Sequence, residues 1–212
     1  MNNHIKHPEV IRDGLLTEFK NDTYMSGLAM WNDTTENHNI GRGNVPLFPE
    51  FDGVTDVVLV PSIPSTPTMT TGTIECWINR DNTGAANQGV IGQYLNWAFW
   101  LSGGNLMWTD YANFTNHNCG YIPHSEWHHI VATFEDLAFQ ASTGTVNIYI
   151  DGANVLTTTG GHWHSATTTA IGALTTFWFY NGKLNEARIY NKALSADEVM
   201  NNYRCGEGGY HG

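Results

Sequence analysis

The chain has 212 residues, a formal net charge of −11 and only 14% charged residues, against 22 glycines, 8 tryptophans, 9 tyrosines and 9 phenylalanines. That length buries one substantial core, and so aromatic a composition excludes a disordered chain. The acid excess, with Lys and Arg few and scattered, excludes a nucleic-acid backbone or an anionic membrane as partner, because both require a cationic patch.

Residues 1–10 read as a polar arm that ends in a Pro-containing turn and carries no apolar segment of a secretory signal. No apolar run approaches the ~20 residues that span a bilayer, so membrane insertion is not expected. Ile11 to Phe19 reads as a first strand, followed by a polar, Asn-, Asp- and Thr-rich stretch up to Asn44 with Met25 and Leu28 to Trp31 inside it. Phe51-Asp52-Gly53 makes a turn before the apolar strand Val57 to Val60, which Pro61 ends; Pro61, Pro64 and Pro67 mark a connection. In Thr73 to Asn79, Ile74, Cys76 and Ile78 share one face of a strand by period two, while Glu75 and Trp77 share the other.

Trp97 to Leu101 and Leu106 to Trp108 flank Ser102-Gly103-Gly104-Asn105, a hairpin turn; Phe99 and Leu101 fall on one face, and Trp100 takes the other with Ala98. Asp151-Gly152 is a stronger turn between Val146 to Ile150 and Asn154 to Leu156, because both residues tolerate the positive φ of a type I′ turn. The alternation of Phe177-Trp178-Phe179-Tyr180 buries one pair of its residues. Ser195 caps a helix that begins at Ala196, Glu198 completes a capping box, and Val199 and Tyr203 form its inner face. The pattern is all-β: one antiparallel β-sandwich at 11–204 with one short C-terminal helix, an arm at 1–10 and a tail at 205–212. Cys76, Cys119 and Cys205 are odd in number and widely spaced, which favours free thiols over a disulfide.

Taken in order, Phe51-Asp52-Gly53 with Asp56, Ile74 to Ile78, Trp127 to Phe134, Tyr149 to Gly152, and Gly182 to Tyr190 running into Ala193 to Val199 resemble the laminin-G-like branch of the concanavalin A-like lectin/glucanase jelly rolls. Asn185-Glu186 departs mildly from the Asp-Glu usual there. The front segment, Asp13-Gly14-Leu15-Leu16 through Trp31-Asn32-Asp33-Thr34, resembles the opening of laminin-G-like proteins of tailed-phage virions. The resemblance implies a non-enzymatic virion structural protein, synthesised in host cytoplasm and displayed on the particle as a capsid decoration or tail adhesion module. Its implied partners are capsid or tail subunits, further copies of itself, and host or environmental glycans. A free carbohydrate-binding lectin is the alternative, and an atypical glycan-cleaving enzyme a weaker one.

The glucanase relatives converge carboxylates on alternate strand positions, and that arrangement is absent. Glu50 and Asp52 are spaced i, i+2, but they lead into a turn; Glu135-Asp136 and Asp197-Glu198 are adjacent pairs. His162-x-His164 has the spacing of a strand-borne metal pair, while His128 and His129 face opposite sides of a strand and read as packing residues. The metal content is left open, calcium being the ion the resemblance favours, with Asp52, Asp56 and Asp151 equally explained as turn formers. For glycan binding, Trp163 between His162 and His164 is the first candidate, in a Gly- and Thr-rich loop, and Tyr111 with Asn113 the second. Most of the other aromatics of the pool (Trp97, Trp100, Trp108, Trp178 and Tyr180) are expected to fill the sandwich or a subunit interface.

Overall fold

The computed structural model describes residues 11–13, 15–20, 30–33, 40–43, 50–61, 69–83, 86–163, 168–174 and 177–210. Its strands are β1 (Leu15–Lys20), β2 (Met30–Asp33), β3 (Ile40–Gly43), β4 (Glu50–Asp52), β5 (Val58–Pro61), β6 (Gly72–Arg80), β7 (Asn87–Gln93) and β8 (Trp97–Ser102). They continue with β9 (Asn105–Asp110), β10 (Thr115–Tyr121), β11 (His128–Glu135), β12 (Ala138–Phe139), β13 (Gly144–Ile150), β14 (Ala153–His162), β15 (Thr168–Ile171) and β16 (Asn181–Tyr190). One helix, α1 (Ala196–Tyr210), closes the described chain.

Hydrogen-bonded order runs β10-β9-β8-β7-β15-β5-β3-β2-β1-β16-β6-β11-β13-β14-β12, with β4 paired to β16. This path folds over on itself into two packed sheets, the all-β sandwich expected from the alternating segments. Every named pair is antiparallel except β12 with β14. Strands β2 and β3 lie inside the Asn-, Asp- and Thr-rich stretch, β2 beginning within the apolar segment Leu28 to Trp31, and the first strand begins at Leu15 instead of Ile11. Pro61 is the last residue of β5 and pairs with Thr168, whereas Pro64 and Pro67 lie outside the described residues.

The period-two pattern decides what enters the core. Ile74, Cys76 and Ile78 of β6 meet Ile130, Ala132 and Phe134 of β11, and the facing sheet supplies Trp97, Phe99 and Leu101 of β8 with Leu106 and Trp108 of β9. Trp108 and Phe134 meet across the layers with ring centroids 6.4 Å apart. Each such fully buried side chain contributes roughly 1.5–3 kcal/mol of apolar burial. Both hairpins form as expected: Gly103 and Gly104 have φ of 56° and 86°, and Asp151 and Gly152 have 52° and 77°. No disulfide joins Cys76, Cys119 and Cys205.

The outer face of β6 is not wet; α1 lies over it. Ser195 and Glu198 form the reciprocal capping box, the Ser195 amide donating to Glu198 Oε2 at 2.8 Å and the Glu198 amide to Ser195 Oγ at 3.3 Å. The helix runs on through Cys205 to Tyr210, where the sequence suggests a tail. Tyr203 stacks on Trp77 at 5.7 Å, and Trp77 stacks on His129 at 5.1 Å. Gly206 sits so close to this indole that a Cβ there would stand 2.4 Å from Trp77 Nε1, so the helix needs glycine at that point to approach the sheet.

Beneath α1 lies a fully buried carboxylate, Glu75. Arg188 Nη1 donates to it at 2.7 Å, the Tyr190 hydroxyl at 3.2 Å, and Asn202 Nδ2 to both of its oxygens at 3.2 and 3.1 Å. His129 Nε2 stands 3.4 Å away, an ion-pair distance without hydrogen-bond alignment. Arg188 reaches this position because β16 carries a bulge between Asn185 and Arg188, where Glu186 takes φ 49° and pairs with Arg188 at 2.6 Å. Asn185-Glu186, the pair that departs from the family pattern, therefore shapes the bulge that aims the arginine.

Burial pushes the Glu75 carboxyl up, but His129 and Arg188 outweigh it and bring the group from an ordinary 4.5 down to about 2. A depressed carboxylate pKa contributes stability that is complete above pH 4.5 and is lost as pH falls toward 2. The Glu75→Gln variant should therefore lose about 3–5 kcal/mol at neutral pH, the cost of stranding a buried partner charge. It should also show a flatter stability profile between pH 4.5 and 2 than the parent in urea unfolding. Equal slopes in that window would contradict the assignment.

Candidate functional site

Among the described residues no helix lies over the outer face of the second sheet. Its turns and strand ends carry a continuous set of aromatic rings around a hollow of about 270 Å³, lined by Tyr94, Trp100, Thr109, Tyr111, Phe114, Asn116, Leu174, Phe177 and Trp178. The rings touch in sequence. Trp163 lies 5.4 Å from Phe114, Phe114 6.3 Å from Tyr111, and Tyr111 6.0 Å from Tyr94. From Tyr94 the contacts pass to Phe177 at 5.6 Å, on to Trp178 at 5.6 Å and finally to Trp100 at 5.0 Å.

Each ring is held by a separate local device. Period two sends Trp100 outward from β8, since Phe99 and Leu101 enter the core, as the alternation requires. Its Nε1 donates to Thr109 Oγ1 at 2.9 Å, and Thr109 donates to Asn116 Oδ1 at 2.9 Å, so the amide nitrogen of this exposed asparagine is the group left to donate. Asp110 shapes the turn that carries Tyr111 and Phe114: its Oδ1 accepts the amides of Ala112 at 3.1 Å and Gly161 at 3.0 Å, and its Oδ2 accepts the Ser142 hydroxyl. The Trp163 amide donates to the Leu95 carbonyl at 3.0 Å, tying the end of β14 to the β7–β8 turn. Leu174 and Phe177 bond each other's backbones in both directions, and the Trp178 carbonyl accepts the Gly89 amide.

Three of the eight non-glycine residues with positive φ among the described residues lie here. Leu95, Phe114 and Trp178 occupy the left-handed region, with φ of 66°, 51° and 54°. For bulky L-residues this conformation costs roughly 1–2 kcal/mol each, and such outliers cluster at binding sites. Trp178 at positive φ also explains why 177–180 does not alternate as a strand. Phe177 and Trp178 are both exposed, Phe179 is half-buried and Tyr180 is buried.

Among the residues singled out by sequence, Trp163 is 38% exposed and stands at one end of the ring series. Tyr111 is only 4% exposed, so it forms the floor of the hollow and presents little surface of its own. Burial and the neighbouring Tyr94 push its phenol above the ordinary range, with the Leu95 backbone acting the other way, so it remains a neutral hydroxyl. Asn113 is exposed, but its amide is turned away to donate to Ser142 Oγ at 2.8 Å. His162, at the end of β14, is 8% exposed and packs against Phe139 at 5.7 Å. His164 lies outside the described residues. Of the wider pool, Trp97, Trp108 and Tyr180 fill the core, whereas Trp100 and Trp178 line the hollow.

Tyr94, Phe114, Phe177, Thr109 and Asn116 carry no sequence signal of their own as site residues; only their convergence in space marks them. A second hollow, of about 320 Å³, lies beside Glu50, Phe51, Asp52, Asp56 and Asn181. Asp52 is spent on its own turn. Its Oδ1 accepts the amides of Val54 and Thr55 at 2.8 Å and of Asp56 at 3.0 Å, and its Oδ2 accepts the Thr55 hydroxyl at 2.9 Å. Slight burial raises its pKa, but these donors hold it at about 2, too low for a general acid. Among the described residues no group of three or more His, Cys, Asp or Glu side chains is arranged to hold a metal ion.

The strain assignment has a direct test. At Phe114 and Trp178 the glycine variant should be more stable than the alanine variant by about 1–2 kcal/mol, since alanine keeps the left-handed penalty that glycine removes. Chemical denaturation of the two variants at each position measures the difference, and equal stabilities would contradict left-handed backbone there.

Residues 51–200 match the family model of the concanavalin A-like lectin/glucanases superfamily. No curated protein matches the sequence. Among solved structures, the botulinum neurotoxin serotype D binding domain aligns at a TM-score of 0.66 and 15% identity, covering 90% of this chain and 51% of that one. The same serotype's ligand binding domain in complex with N-acetylneuraminic acid aligns at 0.67 and 14% identity, over 90% of this chain and 50% of that one. Trypanosoma rangeli sialidase in complex with the inhibitor DANA aligns at 0.69 and 15% identity, over 92% of this chain and 33% of the enzyme. The chain thus spans about half of the neurotoxin domains and a third of the sialidase, and at these identities the likeness is one of fold. With the ordered sandwich, the bulged β16 and the capped helix on its outer face, the chain belongs to the concanavalin A-like lectin/glucanases superfamily.

Proposed function

We propose that this protein is a non-enzymatic glycan-binding adhesion module, and that the aromatic hollow on the uncovered sheet is its binding surface. The observation that carries the reading is the exposed, strained ring series from Trp163 to Trp178. Sugar rings present apolar C–H faces that stack on aromatic faces, while a few fixed polar groups read hydroxyls. Asn116 with Thr109 supplies such a group inside the hollow. Trp178 rests on Trp100, and Trp100 is fixed by its hydrogen bond to Thr109, so little side-chain freedom remains to be lost on binding.

The proposal includes no catalytic step. Asp52 is committed to its turn, and Asp110, the acid nearest the rings in sequence, is buried and held by Ser142, Gly161 and Ala112. One of the similar neurotoxin domains was solved with N-acetylneuraminic acid, which supports a saccharide ligand for this fold more than it supports cleavage. The setting proposed is the surface of a tailed-phage particle, following the resemblance of the segment from Asp13 to Thr34. There the module would pack against capsid or tail subunits and further copies of itself. A free lectin would use the same hollow, and mass spectrometry of purified particles separates the two, since absence from virions removes the phage setting.

Binding itself is tested by titrating glycan-array hits against the intact protein and the Trp178→Ala and Trp163→Ala variants. Loss of an aromatic anchor at such a site costs about 2 kcal/mol, a drop of about thirtyfold in affinity. Unchanged affinity in both variants would move the site elsewhere, and release of oligosaccharide from any glycan would overturn the non-enzymatic reading.

A further inference from the structure

We infer that the hollow selects uncharged saccharides and rejects acidic ones such as uronates and sialylated or sulfated sugars. The inference rests on the glycan-binding reading above and specifies its ligand. Among the described residues lining the hollow there is no Lys, Arg or His and no Asp or Glu. The polar groups there are the Thr109 and Asn116 pair and the hydroxyls of Tyr94 and Tyr111, and the Tyr111 phenol is held neutral by burial.

A carboxylate or sulfate entering such a site would lose hydration and meet no cation in exchange, a cost several neutral hydrogen bonds do not offset. The aromatic rings oppose it further, because a π face carries the negative lobe of the ring quadrupole. The same faces attract the weakly positive C–H groups of a neutral pyranose. The net charge of −11 adds a long-range repulsion of anions, which salt screens, while the local effect inside the hollow persists. The hollow, at about 270 Å³, takes a small part of a glycan, and the rings continue over Phe114 to Trp163, so a neutral oligosaccharide can lie across both.

The test uses two matched sets of oligosaccharides, neutral glucans, mannans and galactans on one side and polyuronate, sialylated and sulfated oligomers on the other. Affinity for the intact protein is read by tryptophan fluorescence at low and high salt. The expected result is binding of at least one neutral member tighter than every acidic member by tenfold or more, retained in high salt. Acidic oligomers that bind as tightly as neutral ones, or a preference that disappears in high salt, would overturn the inference and leave glycan binding standing. No binding of either set would overturn both. Asn116→Arg, at an exposed position on the rim, places a cation in the hollow and should narrow the preference for neutral ligands at least threefold; an unchanged preference would show that discrimination does not arise there.

Discussion

A strand presents alternate side chains to opposite faces, so a two-sheet sandwich that fills its core also creates two outer faces, each of which must be covered or left in water. This protein treats them differently. The outer face of β6, β11 and β16 is closed by α1, which completes the stack of Trp77, His129 and Tyr203 and the donors around Glu75. The outer face around β8, β9 and β10 carries a longer series of rings, and among the described residues no element covers Phe114, Phe177 or Trp178. Aromatic surface that one side buries at some gain in stability is exposed on the other, and exposed apolar patches of this kind mark interaction sites.

The two faces differ in chemistry as much as in cover. Under α1 the charges are paired: Glu75 with Arg188, Asn202 and Tyr190, and Arg188 with Glu186. That arrangement fixes the position of the helix, because Asn202 comes from α1, Glu75 from β6 and Arg188 from the bulged β16. On the open face the polar atoms are neutral and few, and the cost is stored in the backbone, with Leu95, Phe114 and Trp178 at positive φ.

The scaffold was legible because its signals are local. Ile74, Cys76 and Ile78 announce their face by alternation, Asp151-Gly152 announces its turn, and Ser195 with Glu198 announces the helix start. The faint strands β2 and β3 were not legible, since four-residue segments of mixed polarity offer no periodicity to read. Of the candidate site, the sequence points to Trp163 and Tyr111 alone among the ring series. The site draws on the β7–β8 turn, the β9–β10 turn, the end of β14 and the loop after Leu174, four places that no spacing rule connects. Trp178 was hidden for a further reason: its run of aromatics imitates a strand until a left-handed residue breaks the alternation. His162 differs from its exposed neighbour Trp163 because its place on β14 packs it against Phe139.

The central claim is that the uncovered aromatic face is where ligand sits. Chemical-shift mapping of the isotope-labelled protein during titration with a neutral oligosaccharide tests it most directly. The account predicts that perturbations centre on the Trp178 and Trp163 indoles, the Phe114 ring and the Asn116 side-chain amide, with the Trp77 indole beneath α1 unchanged. Perturbations centred on Glu50, Asp52 and Asn181, or on the residues under α1, would contradict it.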